Sequence, residues 1–139
     1  SNVEIVKDYA DNLPPISAGS GKLQQVFTNL ILNARDAMVG GGWITLATMN
    51  YDGTAVVVEV TDTGEGIPAE NLSKVFDPFF TTKGVGNGTG LGLAVTYGII
   101  QEHAGTIEVQ SREGEGTTFR MMFPTAATDV EQRRVVSHQ

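Results

Sequence analysis

The spacing of hydrophobic residues along the chain predicts alternating strands and helices. Residues 3–10 read as a strand that ends in a proline-containing turn. Over residues 21–39 the hydrophobic positions recur every three or four residues, which predicts an amphipathic helix. Its buried face would consist of Leu23, Val26, Phe27, Leu30, Ile31, Ala34 and Met38. Three consecutive glycines at 40–42 predict the end of this helix.

The remaining elements alternate in the same way. The chain predicts strands at 43–49 and 55–61, a short helix at 69–74, a long helix at 91–104 with Gly105 as its cap, and a final hairpin of strands at 107–111 and 117–123. Together these elements predict an α/β fold, a two-layer sandwich with helices on one face of a mixed β-sheet. We assign residues 1–124 to this domain and the polar residues 125–139 to a tail or linker.

Composition narrows the function classes. The 139 residues include no cysteine, which excludes disulfides, zinc-thiolate sites and thiol nucleophiles and fits a reducing compartment. No stretch is long and apolar enough for a membrane span, and no signal peptide opens the chain, so we expect a cytoplasmic domain without membrane contact. A net charge of −7 argues against nucleic-acid binding. An acidic chain that binds a polyanion needs a local structural feature that holds the anion.

The first helix carries a polar stripe beside its hydrophobic face. Asn29, Asn33 and Asp36 fall on this stripe at the helical period. Asparagine is a poor helix former, so two asparagines one turn apart require a reason. Either they hydrogen-bond to neighbouring loops, or they form a polar floor for a ligand or a hydrated cation such as Mg²⁺. The pattern is compatible with both interpretations.

A glycine-containing turn leaves the end of the strand at 55–61. The carboxylate of Asp62 is suited to accept a hydrogen bond from an exocyclic amine such as that of adenine, whereas the carbonyl of guanine would be repelled. Gly64 and Gly66 would let the backbone turn tightly and approach a flat ring. The alternative is a plain Asp-initiated turn, which the length of the segment and its two glycines make less attractive.

A second glycine-rich segment, residues 84–92, has glycine at every second position and leads directly into a helix. Free backbone amides at a helix start bind anions, and glycines let a phosphate chain come close. A flexible linker is the alternative. Two other phosphate motifs fail: Ile16 and Leu23 break a Walker A loop, and Leu91 breaks a dinucleotide fingerprint.

Five segments in order resemble the ATP-binding domain shared by histidine kinases, type II topoisomerases, mismatch-repair ATPases and the large heat-shock chaperone. The likeness covers residues 3–124. The segments are an asparagine box at 29–37, a first glycine box at 62–66, a phenylalanine box typical of histidine kinases at 76–80 followed by Thr-Thr-Lys83, a second glycine box at 88–92 and a last one at 114–117. Each is weak alone, but the ordered set is highly specific.

The resemblance implies a nucleotide site with a mobile lid at residues 76–90. Asp62 would hold the adenine amine, supported by Thr117, and Asn33 with Asn29 would hold Mg²⁺. Strand alternation favours Thr117 over Thr118 for the supporting role. The implied catalytic residues are Asn29, Asn33 and Lys83, and the implied nucleotide-binding residues are Asn33, Asp62, Gly64, Gly66, Lys83, Gly88, Thr89, Gly90, Leu91, Gly92 and Thr117. One departure is Asp36, where many histidine kinases carry a basic residue; here the positive charge is at Arg35.

The identity of residue 29 separates the function classes within this superfamily. Hydrolytic members have a glutamate there that activates water, and the related anti-sigma serine kinases also tend to use a carboxylate. The amide of Asn29 cannot accept that proton. We therefore predict the ATP-binding catalytic domain of a two-component sensor histidine kinase, with an ATP hydrolase or a non-catalytic nucleotide-binding module as the alternative.

The histidine that accepts the phosphoryl group is expected outside this chain. His103 lies near the end of a helix and His138 in the tail, and neither position suits the acceptor. The expected cofactors are ATP and Mg²⁺. The expected partners are the dimerisation and histidine-phosphoacceptor domain of the parent kinase and, indirectly, a response regulator.

Overall fold

The polypeptide alternates strands and helices largely as its hydrophobic pattern predicts. A computed structural model describes residues 2–17, 20–78, 92–128 and 130. The elements are β1 (Val3–Asp8), α1 (Ser20–Asp36), β2 (Gly42–Tyr51), β3 (Ala55–Asp62), a 3₁₀ helix (Ala69–Lys74), α2 (Gly92–Glu102), β4 (Thr106–Arg112) and β5 (Gly116–Pro124). None of the helices in these described segments is long and apolar enough to cross a membrane.

The five strands form one mixed sheet in the order β1-β2-β3-β5-β4. β1 is parallel to β2, and the other neighbouring pairs are antiparallel. Alternate residues of β5, namely Phe119, Met121 and Phe123, are buried and pack in one core with α1 and α2. The predicted two-layer α/β fold is therefore confirmed.

Helix α1 presents its hydrophobic face to this core. Leu23, Val26, Leu30, Ala34 and Met38 are buried, as the pattern predicted, and Phe27 and Ile31 are partly buried beside them.

The predicted end of α1 at residue 39 is wrong. The helix ends at Asp36, and Val39 is 84% exposed. The carbonyl of Ala37 accepts a hydrogen bond from the N–H of Glu65 (3.0 Å), and the N–H of Met38 bonds to the carbonyl of Arg35 (3.1 Å). The helix therefore ends in a tighter turn that hydrogen-bonds to the loop after β3, and this end precedes the glycines at 40–42.

The end of α2 also differs from the prediction. The helix ends at Glu102, and Ala104, not Gly105, adopts the left-handed conformation (φ 56°). The N–H of Gly105 bonds to the carbonyl of Ile100 (2.9 Å) and that of Ala104 to Gln101 (3.0 Å), which is a Schellman cap. A Cβ on Gly105 would lie 2.9 Å from the carbonyl oxygen of Met122, so glycine is needed there for close packing.

The chain remains packed just beyond β5. Thr125 is buried, its N–H bonds to the carbonyl of Thr54 (3.0 Å), and its hydroxyl donates to the carbonyl of Gly53 (3.1 Å). The domain boundary after Pro124 stays a prediction, although Thr125 is held by the β2–β3 turn. Most of the predicted tail, residues 129 and 131–139, lies outside the described residues.

We expect opposite effects from substitutions at the two residues that close α2. Ala104→Gly should raise the free energy of unfolding by about 0.5–1 kcal/mol, because a left-handed residue with a Cβ is strained and glycine is not. Gly105→Ala should lower it by about 1–3 kcal/mol through overpacking against β5. Urea unfolding measures both values. Stabilisation by Gly105→Ala would show that the close packing is unimportant.

Candidate functional site

The last residue of β3, Asp62, is a buried carboxylate. It is 5% exposed, lies directly opposite Thr117 of β5, and shares the core-facing side of β3 with Val60. Its Oδ1 accepts a hydrogen bond from the N–H of Gly64 (2.8 Å). Burial raises the pKa of Asp62, against the opposing effect of hydrogen bonds from the backbone of Gly64 and of Thr117. The structure thus holds a polar acceptor at the rim of a hydrophobic core.

Two glycines after Asp62 allow neighbouring backbone to approach closely. A Cβ on Gly64 would lie 2.6 Å from the carbonyl oxygen of Ala37, at the end of α1. Gly66 has a φ of 75°, and a Cβ there would overlap the carbonyl of Arg112 at the end of β4. In the described residues these glycines therefore accommodate the protein's own backbone. Their contact with a flat ring stays a prediction.

The two candidate threonines of β5 lie on opposite faces of the sheet. Thr117 is buried on the same side as Phe119, beside Asp62. The hydroxyl of Thr118 instead contacts that of Thr61 at 3.0 Å. The alternation that favoured Thr117 is therefore present, and its contact with adenine stays a prediction.

Ser111 belongs to this region and was missed in the sequence. Its hydroxyl lies 2.8 Å from the Thr117 hydroxyl, and it accepts a 2.8 Å hydrogen bond from the N–H of Ile67 in the turn after Asp62. A serine at the end of a strand carries no signal of its own. Only the hairpin register, which places Ser111 opposite Thr117, would have indicated it.

Asn29 connects the two long helices. Its side-chain nitrogen donates to the carbonyl oxygen of Gly92, the first residue of α2, and to the hydroxyl of the fully buried Thr96, both at 3.3 Å. These two hydrogen bonds to α2 use both protons of the Asn29 amino group. Among the described residues, no donor contacts its oxygen or the side chain of Asn33. Those amide oxygens are candidates for a ligand or a cation.

The polar stripe of α1 ends in an exposed ion pair. A nitrogen of Arg35 lies 3.5 Å from Oδ1 of Asp36. Pairs of this kind contribute little to stability in water. Asp36 thus lies beside the positive charge of Arg35.

Part of the predicted site belongs to a segment other than the described ones. Lys83, Gly88, Thr89, Gly90 and Leu91 lie outside the described residues, as does the predicted lid from residue 79 onward. Phe76, at the predicted start of the lid, packs against Tyr97 and Phe119 with ring centroids 5.3 and 6.2 Å apart. Phe76 therefore holds the end of the described stretch 20–78 against α2 and β5.

A cavity of about 530 Å³ opens at the ends of β3, β4 and β5. Asp62, Ser111 and Thr117 line it, and Leu72 and Val109 contribute apolar surface. It also reaches residues from the other face of the sheet, so it extends around the strand ends. Its volume lies in the range of about 300–1,000 Å³ that is usual for small-molecule sites.

Comparison with known sequences points to one group of proteins. The sequence model described as "Histidine kinase-, DNA gyrase B-, and HSP90-like ATPase" matches residues 19–127. Sensor kinase CckA of Brucella abortus (strain 2308) is 45% identical across 96% of this chain, and sensor histidine kinase ZraS of Escherichia coli (strain K12) is 47% identical across 85%. The chain spans only 15% and 25% of the lengths of these relatives.

Solved structures give the same result. The catalytic domain of histidine kinase ThkA in a nucleotide-free form is 33% identical, with a TM-score of 0.78 over 90% of this chain and 82% of that one. Full-length ShkA in complex with AMPPNP is 31% identical, with a TM-score of 0.79 over 89% of this chain and 26% of that one.

The raised pKa of Asp62 predicts a pH-dependent cost in stability. The folded state holds the Asp62 proton more strongly than the unfolded state does. The resulting stabilisation is complete below the ordinary pKa of 3.8 and is lost as the pH rises through the folded-state value. Asp62→Asn should therefore be more stable than the wild type at pH 7, with the difference shrinking towards pH 4. Urea unfolding at both pH values tests this, and a difference that grows on acidification would contradict it.

Proposed function

The chain belongs to the family of histidine kinase-, DNA gyrase B- and HSP90-like ATPases, and we propose that it donates the γ-phosphoryl group of Mg-ATP to a histidine on a separate domain. It is an ATP-binding catalytic domain of the sensor histidine kinase type. The single observation that carries the proposal is the buried Asp62 carboxylate, which lines a cavity at the strand ends.

In the proposed complex, Asp62 accepts a hydrogen bond from the exocyclic amine of adenine. An ionised carboxylate has about four lone-pair sites. Backbone groups of Gly64 and Thr117 use two of them, so acceptor capacity remains for the nucleotide. Thr117 supports the base from the neighbouring strand. A buried charge of this kind lowers stability, and ligand recognition is a reason to retain it.

The amide oxygens of Asn29 and Asn33 fit a magnesium site. Mg²⁺ prefers oxygen ligands, keeps several waters and is commonly bound through one or two protein groups together with substrate phosphates. Within the described residues there is no cluster of three carboxylate or imidazole ligands, so the amides of α1 are the candidates. Bound Mg²⁺ would neutralise phosphate charge. Lys83 and the backbone amides of residues 88–92 are proposed to do the same.

The proposed reaction is phosphoryl transfer and not hydrolysis. Asn29 cannot accept a proton from water at neutral pH. Transfer to an imidazole needs no base at that position, and it depends mainly on positioning and charge neutralisation. The proposed partners are the histidine-bearing dimerisation domain of a cytoplasmic kinase module and, downstream, a response regulator.

Nucleotide binding tests the role of Asp62. Asp62→Asn should weaken ATP binding roughly tenfold to 150-fold, because a charge-assisted hydrogen bond contributes about 1.5–3 kcal/mol. Asp8→Asn is the matched control and should leave ATP affinity unchanged, since it makes the same change at an exposed carboxylate on β1, the edge strand farthest along the sheet from β4. Calorimetry in the presence of Mg²⁺ measures both. Equal ATP affinity for Asp62→Asn and the wild type would refute the assignment.

Phosphoryl transfer tests the role of Asn33. With the parent kinase's helical hairpin added, the wild-type domain should label the hairpin's histidine, giving an acid-labile, base-stable product. Asn33→Ala should abolish labelling, because it removes a proposed Mg²⁺ ligand at a half-buried position without a described partner. Gln25→Ala, an exposed change on the same helix, should label normally. Normal labelling by Asn33→Ala, or label on His103 or His138, is incompatible with this mechanism.

A further inference from the structure

The hydroxyl of Ser111 has a complete set of hydrogen-bond partners. It lies 2.8 Å from each of three groups: the N–H of Ile67, the carbonyl oxygen of Gly116 and the hydroxyl of Thr117. These partners belong to the turn after Asp62 and to the start of β5. A serine hydroxyl has one proton to donate and two lone pairs to accept with. Three partners therefore use its whole capacity.

Counting protons determines the direction of the bond between the two hydroxyls. The carbonyl of Gly116 can only accept, so the proton of Ser111 goes to it. The N–H of Ile67 can only donate, so it occupies one lone pair. The remaining lone pair of Ser111 must accept from Thr117. The only hydroxyl proton of Thr117 is thereby used within the protein.

The surrounding backbone leaves Ser111 little freedom to choose other partners. A Cβ on Gly66 would overlap the carbonyl of Arg112, the residue after Ser111. The N–H of Gly114 bonds to the carbonyl of Glu65 at 2.7 Å. The turn after Asp62 and the β4–β5 hairpin are thus held together on both sides of the serine.

We infer that Ser111 is a positioning residue for base selection, because it makes Thr117 an acceptor only. Thr117 lies directly opposite Asp62, which also only accepts when ionised. Such a pair favours the two N–H groups of a 6-aminopurine and offers no proton to the oxygen of a 6-oxopurine. A Thr117 that was free to rotate could donate to that oxygen and weaken the discrimination. This inference rests on the proposed role of Asp62 as the adenine acceptor.

The test compares ATP with ITP, which carries an oxygen in place of the 6-amino group. Calorimetry with Mg²⁺ should show that wild type prefers ATP. Ser111→Ala should reduce the ratio of the ITP dissociation constant to the ATP dissociation constant about threefold to tenfold, the usual effect of one neutral hydrogen bond. Most of that change should come from tighter ITP binding. Ser111→Cys retains the side-chain size with a weak donor and should reduce the ratio in the same direction.

Two further variants distinguish orientation of Thr117 from a general structural effect. Thr117→Val removes the hydroxyl that Ser111 orients, so adding Ser111→Ala to it should leave the ratio unchanged. Thr125→Val removes a comparable buried hydroxyl, bonded to the carbonyl of Gly53 at the far end of β5. It should lower stability without changing the ratio.

The outcomes separate the two hypotheses. If Ser111→Ala and Ser111→Cys weaken ATP and ITP binding equally, or leave the ratio at its wild-type value, the inference is overturned and the proposed function stands. A further effect of Ser111→Ala in the Thr117→Val background would also overturn it. If wild type binds ATP and ITP equally, the proposed role of Asp62 itself fails.

Discussion

The site depends on how closely three stretches of backbone approach Asp62. Gly64 lies against the carbonyl of Ala37 at the end of α1, Gly66 against Arg112 at the end of β4, and Gly116 against the carbonyl of Asp62 itself. Gly66 and Gly116 also have positive φ angles. Side chains at these positions would separate α1, β3 and the β4–β5 hairpin, because interiors packed at native density cannot absorb an additional carbon without shifting. The proposed base-binding residues are near each other only because these three contacts are close.

This arrangement has a cost in stability. Burial disfavours the ionised form of Asp62, and two backbone hydrogen bonds offset that effect only in part. A hydrophobic residue, or an asparagine, at the end of β3 would suit folding better. Asn29 is a similar case, since an asparagine in a helix interior lowers helix propensity, and here its amino group holds α1 to the first turn of α2. Departures from what the fold alone favours are thus found at the residues we propose to bind the nucleotide.

The sequence predicted what depends on periodicity and local motifs, and missed what depends on contacts between distant segments. The hydrophobic face of α1 and the alternation of Thr117 with Phe119 follow from helical and strand periods, and both are present. The end of α1 was misplaced because it is decided by a hydrogen bond from Glu65 to Ala37. Glycine at 105 suggested a left-handed cap, yet its requirement comes from packing against β5, and Ala104 carries the positive φ. Ser111 was missed for the same reason, because its importance arises only from its three partners.

Three of the side chains proposed to bind the nucleotide share one feature: none of them has a free hydrogen-bonding proton to offer to a ligand. Asn29 donates its amino group to α2, and the proton of Thr117 goes to Ser111. Asp62, when ionised, has no proton to give. Each of the three can therefore offer only acceptors to a ligand.

Oxygen acceptors suit an amine at one end of a nucleotide and a hydrated Mg²⁺ at the other, whereas the phosphates between them need donors and positive charge. A chain with a net charge of −7 must supply those donors locally. We propose Lys83 and the backbone amides of residues 88–92 as those donors, because amides at a helix start bind phosphate without any cationic surface.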